Sequence, residues 1–188
     1  MKKYLVVGLG NIGMQYENTR HNIGFQILDA LAKDQGISFE TKKLGEIVRF
    51  RHKGRTVILL KPSTYMNLSG KAVKYWMTEE KIQPENIFII TDDVHIEFGV
   101  IRIKTKGSAG GHNGLKDIED KLQTKQYPRF RFGVGGNYPK GFQANFVLSN
   151  WTKEEESQLV ERILIATKAI ISYATAGIDI TMNTFNGK

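Results

Sequence analysis

Two side chains have the types and positions of a general-base pair. His21 lies just before a helical segment that begins near Ile23, and Asp92 directly follows the apolar run at residues 87–91. A neutral imidazole beside a carboxylate can take a proton, because the carboxylate orients the ring and stabilises the imidazolium that forms. The chain has no cysteine and no Gly-x-Ser-x-Gly motif to supply a nucleophile, so this pair would activate water.

The position of His21 also predicts its charge. The positive end of a helix dipole disfavours a protonated imidazole, so we expect His21 to stay neutral and able to accept a proton. The alternative is a histidine that caps the helix or faces solvent, which is the commoner role of a single loop histidine.

Three asparagines, Asn11, Asn67 and Asn113, are candidates to bind a substrate of acyl transfer. A side-chain amide donates to a carbonyl or an oxyanion and accepts from an amide N–H. Asn113 lies in a stretch, residues 106–114, that contains four glycines. Because glycine lets another molecule approach the backbone closely, we expect this stretch to form a wall of the site. A plain turn between a strand and a helix is the alternative.

Glycines at residues 8–13 satisfy the G-x-G-x-x-G spacing of dinucleotide-binding proteins, but their surroundings do not. That motif requires a helix to begin directly at the glycines, so that its N-terminus meets a pyrophosphate. Here residues 15–22 intervene, and no second strand with a terminal acid follows about 20 residues on. We therefore predict a tight turn that presents Asn11, and no dinucleotide cofactor.

A possible metal-binding cluster follows the predicted strand at residues 87–91. It consists of Asp92, Asp93, His95 and Glu97. The cluster lacks the paired histidines of a helical zinc motif and the spacing of an EF-hand, so the sequence predicts neither a metal nor another cofactor.

The composition limits the class of protein. The 188 residues are 40% hydrophobic and 24% charged, as expected of one globular domain. The absence of cysteine excludes disulfides, zinc-thiolate sites and thiol catalysis, and it agrees with a reducing cytoplasm. No apolar run approaches the ~20 residues of a membrane span and no signal peptide begins the chain, so we expect a cytoplasmic protein without a membrane partner.

The net charge of +8 and the pI near 9.6 favour a polyanionic partner such as nucleic acid. Basic residues recur at every second position in three predicted strands, which would place each set on one face. The intervening Phe50, Ile103 and Phe130 would then face the core. The three sets are Arg49, Arg51 and Lys53; Arg102, Lys104 and Lys106; and Arg129 and Arg131.

Apolar patterns predict strands that alternate with helices. Helical periodicity covers residues 23–35, 68–81, 115–122 and 152–176, and the last of these begins with a capping box at Thr152 and Glu155. Strand patterns cover residues 4–7, 46–51, 56–61, 87–91, 100–105 and 129–134. This order predicts a single three-layer α/β domain with a mixed, twisted sheet flanked by helices. Residues 179–188 are predicted to be a polar tail.

The candidate residues should meet at one edge of this fold. Ligands of open α/β sheets bind beyond the carboxyl ends of the strands, and the loops there carry the candidates. The first strand leads to Asn11 and His21, the strand ending at residue 61 to Tyr65 and Asn67, the strand ending at residue 91 to Asp92, and a fourth strand to Asn113.

Four ordered motifs together carry a resemblance to a known family. They are Gly8-Leu9-Gly10-Asn11 with Thr19-Arg20-His21-Asn22; Met66-Asn67-Leu68-Ser69-Gly70; Asp92-Asp93; and the glycine stretch at residues 106–114. In order, spacing and chain length they resemble bacterial peptidyl-tRNA hydrolase. The resemblance implies a monomeric, metal-independent esterase whose partner is peptidyl-tRNA. It would cleave the ester between the peptide and the terminal ribose, and so recycle tRNA from stalled translation.

The resemblance also implies roles for individual residues. His21 resembles the general base, Asp92 the residue that orients it, and Asn11 the group that senses an acylated α-amine. Lys104 and Lys106 fall where the family presents basic residues to phosphate. The other positions that match tRNA or substrate contacts are Tyr16, Tyr65, Met66, Asn67, His112 and Asn113. A tRNA- or RNA-binding module without chemistry is the alternative, and such a module would have no need of His21 beside Asp92.

Overall fold

Seven strands form one continuous sheet in the computed structural model, which describes residues 1–188. They are β1 (Lys3–Gly8), β2 (Glu40–Lys42), β3 (Gly45–His52), β4 (Arg55–Pro62), β5 (Ile87–Asp93), β6 (Ile101–Lys104) and β7 (Arg129–Gly133). Their order across the sheet is β2-β3-β4-β1-β5-β7-β6. The four central strands β4, β1, β5 and β7 are parallel, and the outer pairings are antiparallel, so the sheet is mixed as predicted.

Helices cover both faces of this sheet. They are α1 (Ile23–Asp34), α2 (Ser69–Glu80), α3 (Asn113–Leu122), α4 (Gln143–Val147), α5 (Lys153–Ala176) and α6 (Ile178–Phe185). In β1, Tyr4 and Val6 pack in the core that contains α1 and α5, whereas Leu5 and Val7 pack in the core that contains α2 and α3. The predicted three-layer α/β fold is therefore confirmed. None of the helices combines the length and the apolar composition that a membrane crossing requires.

The hydrophobic pattern predicts neither β2 nor α4, because β2 has no buried residue and α4 has only Val147. The prediction of a polar tail at residues 179–188 is wrong. Most of this segment belongs to α6, whose Ile178, Met182 and Phe185 pack at helical spacing against the core that contains α1 and α5. The last residues then cover the free edge of β6, where Ile101 N donates to Lys188 O over 2.9 Å.

The basic residues of β6 and β7 divide between surface and interior. Lys104 is exposed and Ile103 is buried, as the alternation predicts. The prediction that Arg129 belongs to an exposed basic face is wrong, because this side chain is completely buried. Its strand lies inside the sheet between β5 and β6, and its guanidinium lies 4.1 Å from the centre of the Tyr127 ring. The side chain donates to Ser108 O at 3.3 Å and so supports the glycine stretch.

Candidate active site

The Asp92 carboxylate lies between two imidazole rings at the carboxyl end of β5. His21 comes from a 3-10 turn just before α1, and its Nδ1 lies 2.9 Å from Asp92 Oδ2. His112 caps the N-terminus of α3, and its Nε2 lies 2.9 Å from Asp92 Oδ1. The aspartate is 4% exposed, so its charge is held by these two rings rather than by bulk water. The predicted proximity of His21 and Asp92 is therefore present in the structure.

The hydrogen bonds of His112 determine its tautomer. Its Nδ1 accepts from the backbone N–H groups of Gly114 and Leu115, at 3.1 and 3.3 Å, so its proton lies on Nε2 and is donated to Asp92. His21 likewise donates its Nδ1 proton to Asp92, which leaves its Nε2 with a free lone pair. Of the two rings, His21 is thus the one that can accept a proton.

The carboxylate shifts the protonation equilibrium of the pair. Burial alone would lower the pKa of the His21 imidazole, but the charge of Asp92 and the hydrogen bond to it outweigh burial and hold that pKa above its ordinary value of 6.5. Burial alone would raise the pKa of the Asp92 carboxyl, but attraction to His21 and His112 and their hydrogen bonds hold it far below 3.8. The helix dipole alone would lower the pKa of His21, so the shift expected from it is wrong in direction.

Donor atoms of His21, Asp92 and His112 lie within 4.8 Å of one another, the separation of a possible metal site. A metal would need nitrogen lone pairs, yet His21 Nδ1 and His112 Nε2 both carry the protons that Asp92 accepts. The arrangement favours a hydrogen-bonded triad over a metal centre.

Asn11 is held by a second asparagine. Its backbone N–H donates to Asn22 Oδ1 at 2.8 Å, and Asn22 Nδ2 donates to Asn11 O at 2.9 Å. The Asn11 side chain then accepts from Met66 N–H at 2.7 Å, which joins the loop after β1 to the loop after β4. This leaves Asn11 Nδ2 free to donate, so the side chain offers a fixed N–H donor.

Replacing Asn22 by alanine should lower the free energy of unfolding by about 1–3 kcal/mol. Asn22 is buried, and without its side chain the backbone N–H and C=O groups of Asn11 would lose their hydrogen-bond partners. Urea unfolding with an unchanged m-value measures this loss. The control is Asn18→Ala, an exposed asparagine of the same loop, which should unfold like the wild type. Equal stability of the two variants would contradict the assigned role of Asn22.

A cleft of about 460 Å³ contains the triad and most of the predicted site. Eight predicted residues line it: Asn11, His21, Tyr65, Met66, Asn67, Asp92, His112 and Asn113. Tyr16, Lys104 and Lys106 do not. Tyr16 is half-buried in a 3-10 turn ahead of His21, and both lysines are exposed on and beyond β6.

The antiparallel direction of β6 explains the position of the lysines. Asp92 is in register with Phe132 of β7, whereas Lys104 is in register with Arg129. Three residues along a strand span about 10 Å, so Lys104 lies about that far behind Asp92 along the strand direction. The glycine stretch then runs back to the cleft, where Ala109, Gly110 and Gly111 line the wall, as predicted.

Several residues of the cleft are not predicted from the sequence as site residues. Arg131 lines the cleft and lies 3.5 Å from Asp93, and its alternation with Arg129 in the predicted basic set is the sequence signal that could have indicated it. The wall made by α4 has no such signal, since this five-residue helix carries no periodic pattern. The unpredicted residues of the lining include Arg131, Gln143, Ala144, Val147 and Leu148.

Comparison with known proteins identifies the family. The peptidyl-tRNA hydrolase family model matches residues 5–188. The chain belongs to the peptidyl-tRNA hydrolase family. It is 55% identical over 184 residues to the peptidyl-tRNA hydrolase of Azobacteroides pseudotrichonymphae, covering 98% of this chain and 99% of that one. It is 53% identical over 186 residues to that of Bacteroides fragilis, covering 99% and 100%. The resemblance drawn from the motifs is thereby confirmed.

The fold of the family is shown by a solved member. The crystal structure of peptidyl-tRNA hydrolase from Acinetobacter baumannii superposes with a TM-score of 0.92 at 36% identity. The superposition covers 97% of this chain and 94% of the other. The mixed sheet and its flanking helices are therefore the architecture of this family.

Proposed function

We propose that this protein hydrolyses the ester bond between the peptide and the tRNA of peptidyl-tRNA. The observation that carries the proposal is the His21 Nδ1–Asp92 contact of 2.9 Å inside the cleft of a family member. A binding module would have no use for a buried carboxylate that raises the basicity of a cleft histidine. The reaction returns free tRNA and thus serves translation.

The proposed chemistry uses water as the nucleophile. His21 Nε2 takes a proton from water as the oxygen bonds to the ester carbonyl carbon, and Asp92 stabilises the imidazolium that results. The tetrahedral intermediate then breaks its bond to the ribose oxygen, which receives the proton back from His21. The products are a free peptide carboxyl group and a ribose hydroxyl group on the tRNA.

The asparagines of the cleft supply hydrogen bonds to the substrate. Asn11 Nδ2 is free to donate because Asn11 Oδ1 is occupied by Met66 N–H. An acylated α-amine presents a carbonyl oxygen that can accept this bond, whereas a free α-amine is a cation with only donors. This is the physical basis that we propose for selecting peptidyl over unblocked aminoacyl-tRNA. Asn67 and Asn113 are exposed in the cleft lining and available to the same substrate.

The deciding experiment compares an N-acetylated aminoacyl-tRNA with its unblocked counterpart, with no metal added. We expect release of the N-acetylated amino acid and little release from the unblocked substrate. Equal rates for both substrates would contradict the role of Asn11, and no release from either would contradict the function.

We propose that the acceptor arm of the tRNA follows the exposed basic face behind the triad. Lys104 and Lys106 would contact phosphates there. Tyr16 would contact the substrate at the 3-10 turn ahead of His21, and Tyr65 would contact it at the mouth of the cleft. Tyr65 is 53% exposed, which leaves its ring available for such contact. Met66 would line the peptide side, and His112 acts through Asp92. We further propose a cytoplasmic monomer that needs no metal.

Removing both lysines should weaken tRNA binding and reduce its salt dependence. For Lys104→Ala combined with Lys106→Ala, the slope of log affinity against log salt should become shallower by about one unit for each phosphate that the protein no longer neutralises. Filter binding over a salt series measures it. The control is Lys33→Ala combined with Lys168→Ala, which removes two exposed charges from α1 and α5. An identical slope in both double variants would exclude the basic face as the surface that binds tRNA.

A further inference from the structure

The residue next to His21 is a buried arginine that the proposed mechanism does not use. Arg20 is 4% exposed, and its guanidinium makes a two-pronged contact with Glu155, at 2.6 Å from Nη2 and 3.3 Å from Nε. The third nitrogen, Nη1, donates to Phe146 O at 3.2 Å and to the Ser149 hydroxyl. The guanidinium carbon also lies 4.2 Å from the centre of the Phe146 ring. Each of the three guanidinium nitrogens therefore has a hydrogen-bond partner, and the Phe146 ring covers one face of the cation.

These contacts join three parts of the molecule. Arg20 belongs to the 3-10 turn that carries His21, and Phe146 and Ser149 belong to α4 and the residues just after it. Glu155 also accepts from Thr152 N–H in the capping box of α5. The Arg20 side chain thus contacts both the α4 wall of the cleft and the start of α5, and so links them to the 3-10 turn that carries His21.

Apart from Phe146, which packs partly against the core that contains α1 and α5 and against the Tyr138 ring, the α4 wall has few other restraints. Among its five residues only Val147 is buried, yet Gln143, Ala144, Val147 and the following Leu148 all line the cleft. An element with so little buried surface opens at low free energy unless polar contacts hold it. The main-chain β-bridge between Thr19 and Asn150 is one polar contact of this kind, and the hydrogen bonds of the Arg20 side chain are the charged contact.

We propose that Arg20 is a positioning residue that holds the α4 wall at a set distance from His21, and so determines how tightly substrate is bound. It touches neither the triad nor the reacting atoms, so its loss should act on substrate affinity rather than on the chemical step. The planar guanidinium of Arg20 is required for this role, because the single ammonium of a lysine cannot reproduce the two-pronged contact with Glu155 and the bond to the Phe146 carbonyl at once. The inference rests on the proposed function for its kinetic test.

The experiment measures KM, kcat and the pH profile with N-acetylated aminoacyl-tRNA. Arg20→Lys and Ser149→Ala should each raise KM by about tenfold or more, because each loses at least one charge-assisted hydrogen bond between Arg20 and residues 146–149, with kcat unchanged. The midpoint of the pH profile should not move, because His21 keeps its contact with Asp92. Ser149→Ala leaves the Arg20–Glu155 pair intact, so it carries the test if Arg20→Lys folds poorly.

The control is Glu156→Gln, an exposed acid in the same turn of α5 with no ion-pair partner, which should leave KM unchanged. A fall in kcat at constant KM, or a wild-type KM in both Arg20→Lys and Ser149→Ala, would overturn the proposal. Loss of stability alone would lower the active fraction and leave KM as it is.

A second readout does not depend on hydrolysis. Amide hydrogen exchange in the free protein should be faster at residues 143–149 in Ser149→Ala than in the wild type, with exchange in β1 and β5 unchanged. Unchanged exchange at residues 143–149 would contradict the link itself. If the wild-type protein fails to hydrolyse the substrate while exchange responds as expected, the proposed function fails and the structural link stands.

Discussion

Replacing His21 by alanine is expected to reduce kcat for peptidyl-tRNA hydrolysis by a factor on the order of 10² to 10⁴, the usual contribution of a general base. The reason is that His21 Nε2 is the nitrogen of the triad that keeps a free lone pair, because His112 Nε2 donates its proton to Asp92. Binding of tRNA should persist, because the exposed lysines lie apart from this ring. Single-turnover hydrolysis and filter binding measure the two quantities separately.

The matched control is His95→Ala. His95 lines the same cleft and is exposed, but it makes no contact with Asp92. We expect near wild-type turnover from this variant. Unchanged turnover in His21→Ala, or an equal loss in both variants, would contradict the assignment of the base.

Replacing Asp92 by asparagine is expected to lower kcat/KM by on the order of 10²-fold or more and to move its pH dependence. In the wild type kcat/KM should rise with pH as His21 loses its proton, with a midpoint above 6.5 because Asp92 raises the pKa of His21. Asparagine removes the charge that stabilises the imidazolium. Burial of His21 then dominates and lowers the pKa, so the midpoint should fall below 6.5.

The initial rate measured from about pH 5 to about pH 9 checks this direction, a range that spans the ordinary titration of histidine. The control is Asp93→Asn, because Asp93 contacts Arg131 and His95 N–H but neither ring of the triad. Its midpoint should stay at the wild-type value. A midpoint in Asp92→Asn that rises, or that stays in place, would show that the carboxylate does not set the basicity of His21.

The sequence alone predicts the fold class and the central residues of the candidate site. Apolar runs that end in Gly8 and Asp92 mark buried parallel strands, and parallel strands bring their carboxyl ends to one edge. That rule places Asn11, His21 and Asp92 together without any coordinates. The family follows from the sequence as well, since its motifs span nearly the whole chain.

Only the tertiary structure decides which contacts these residues make. The role of His112 depends on its Nδ1 capping α3, which turns its Nε2–H towards Asp92. The burial of Arg129 depends on β7 lying between β5 and β6, an order that alternation along one strand cannot reveal.

The pKa of His21 shows the same division between local pattern and packed structure. Sequence position indicates a helix N-terminus, which would lower that pKa, but the buried Asp92 carboxylate 2.9 Å away holds it above its ordinary value. The α4 wall and its anchor Arg20 likewise join residues that lie more than a hundred positions apart. Periodicity and helix ends are local properties that a sequence displays directly. Charge balance in a buried site depends on distances between distant segments, and only the packed chain determines those distances.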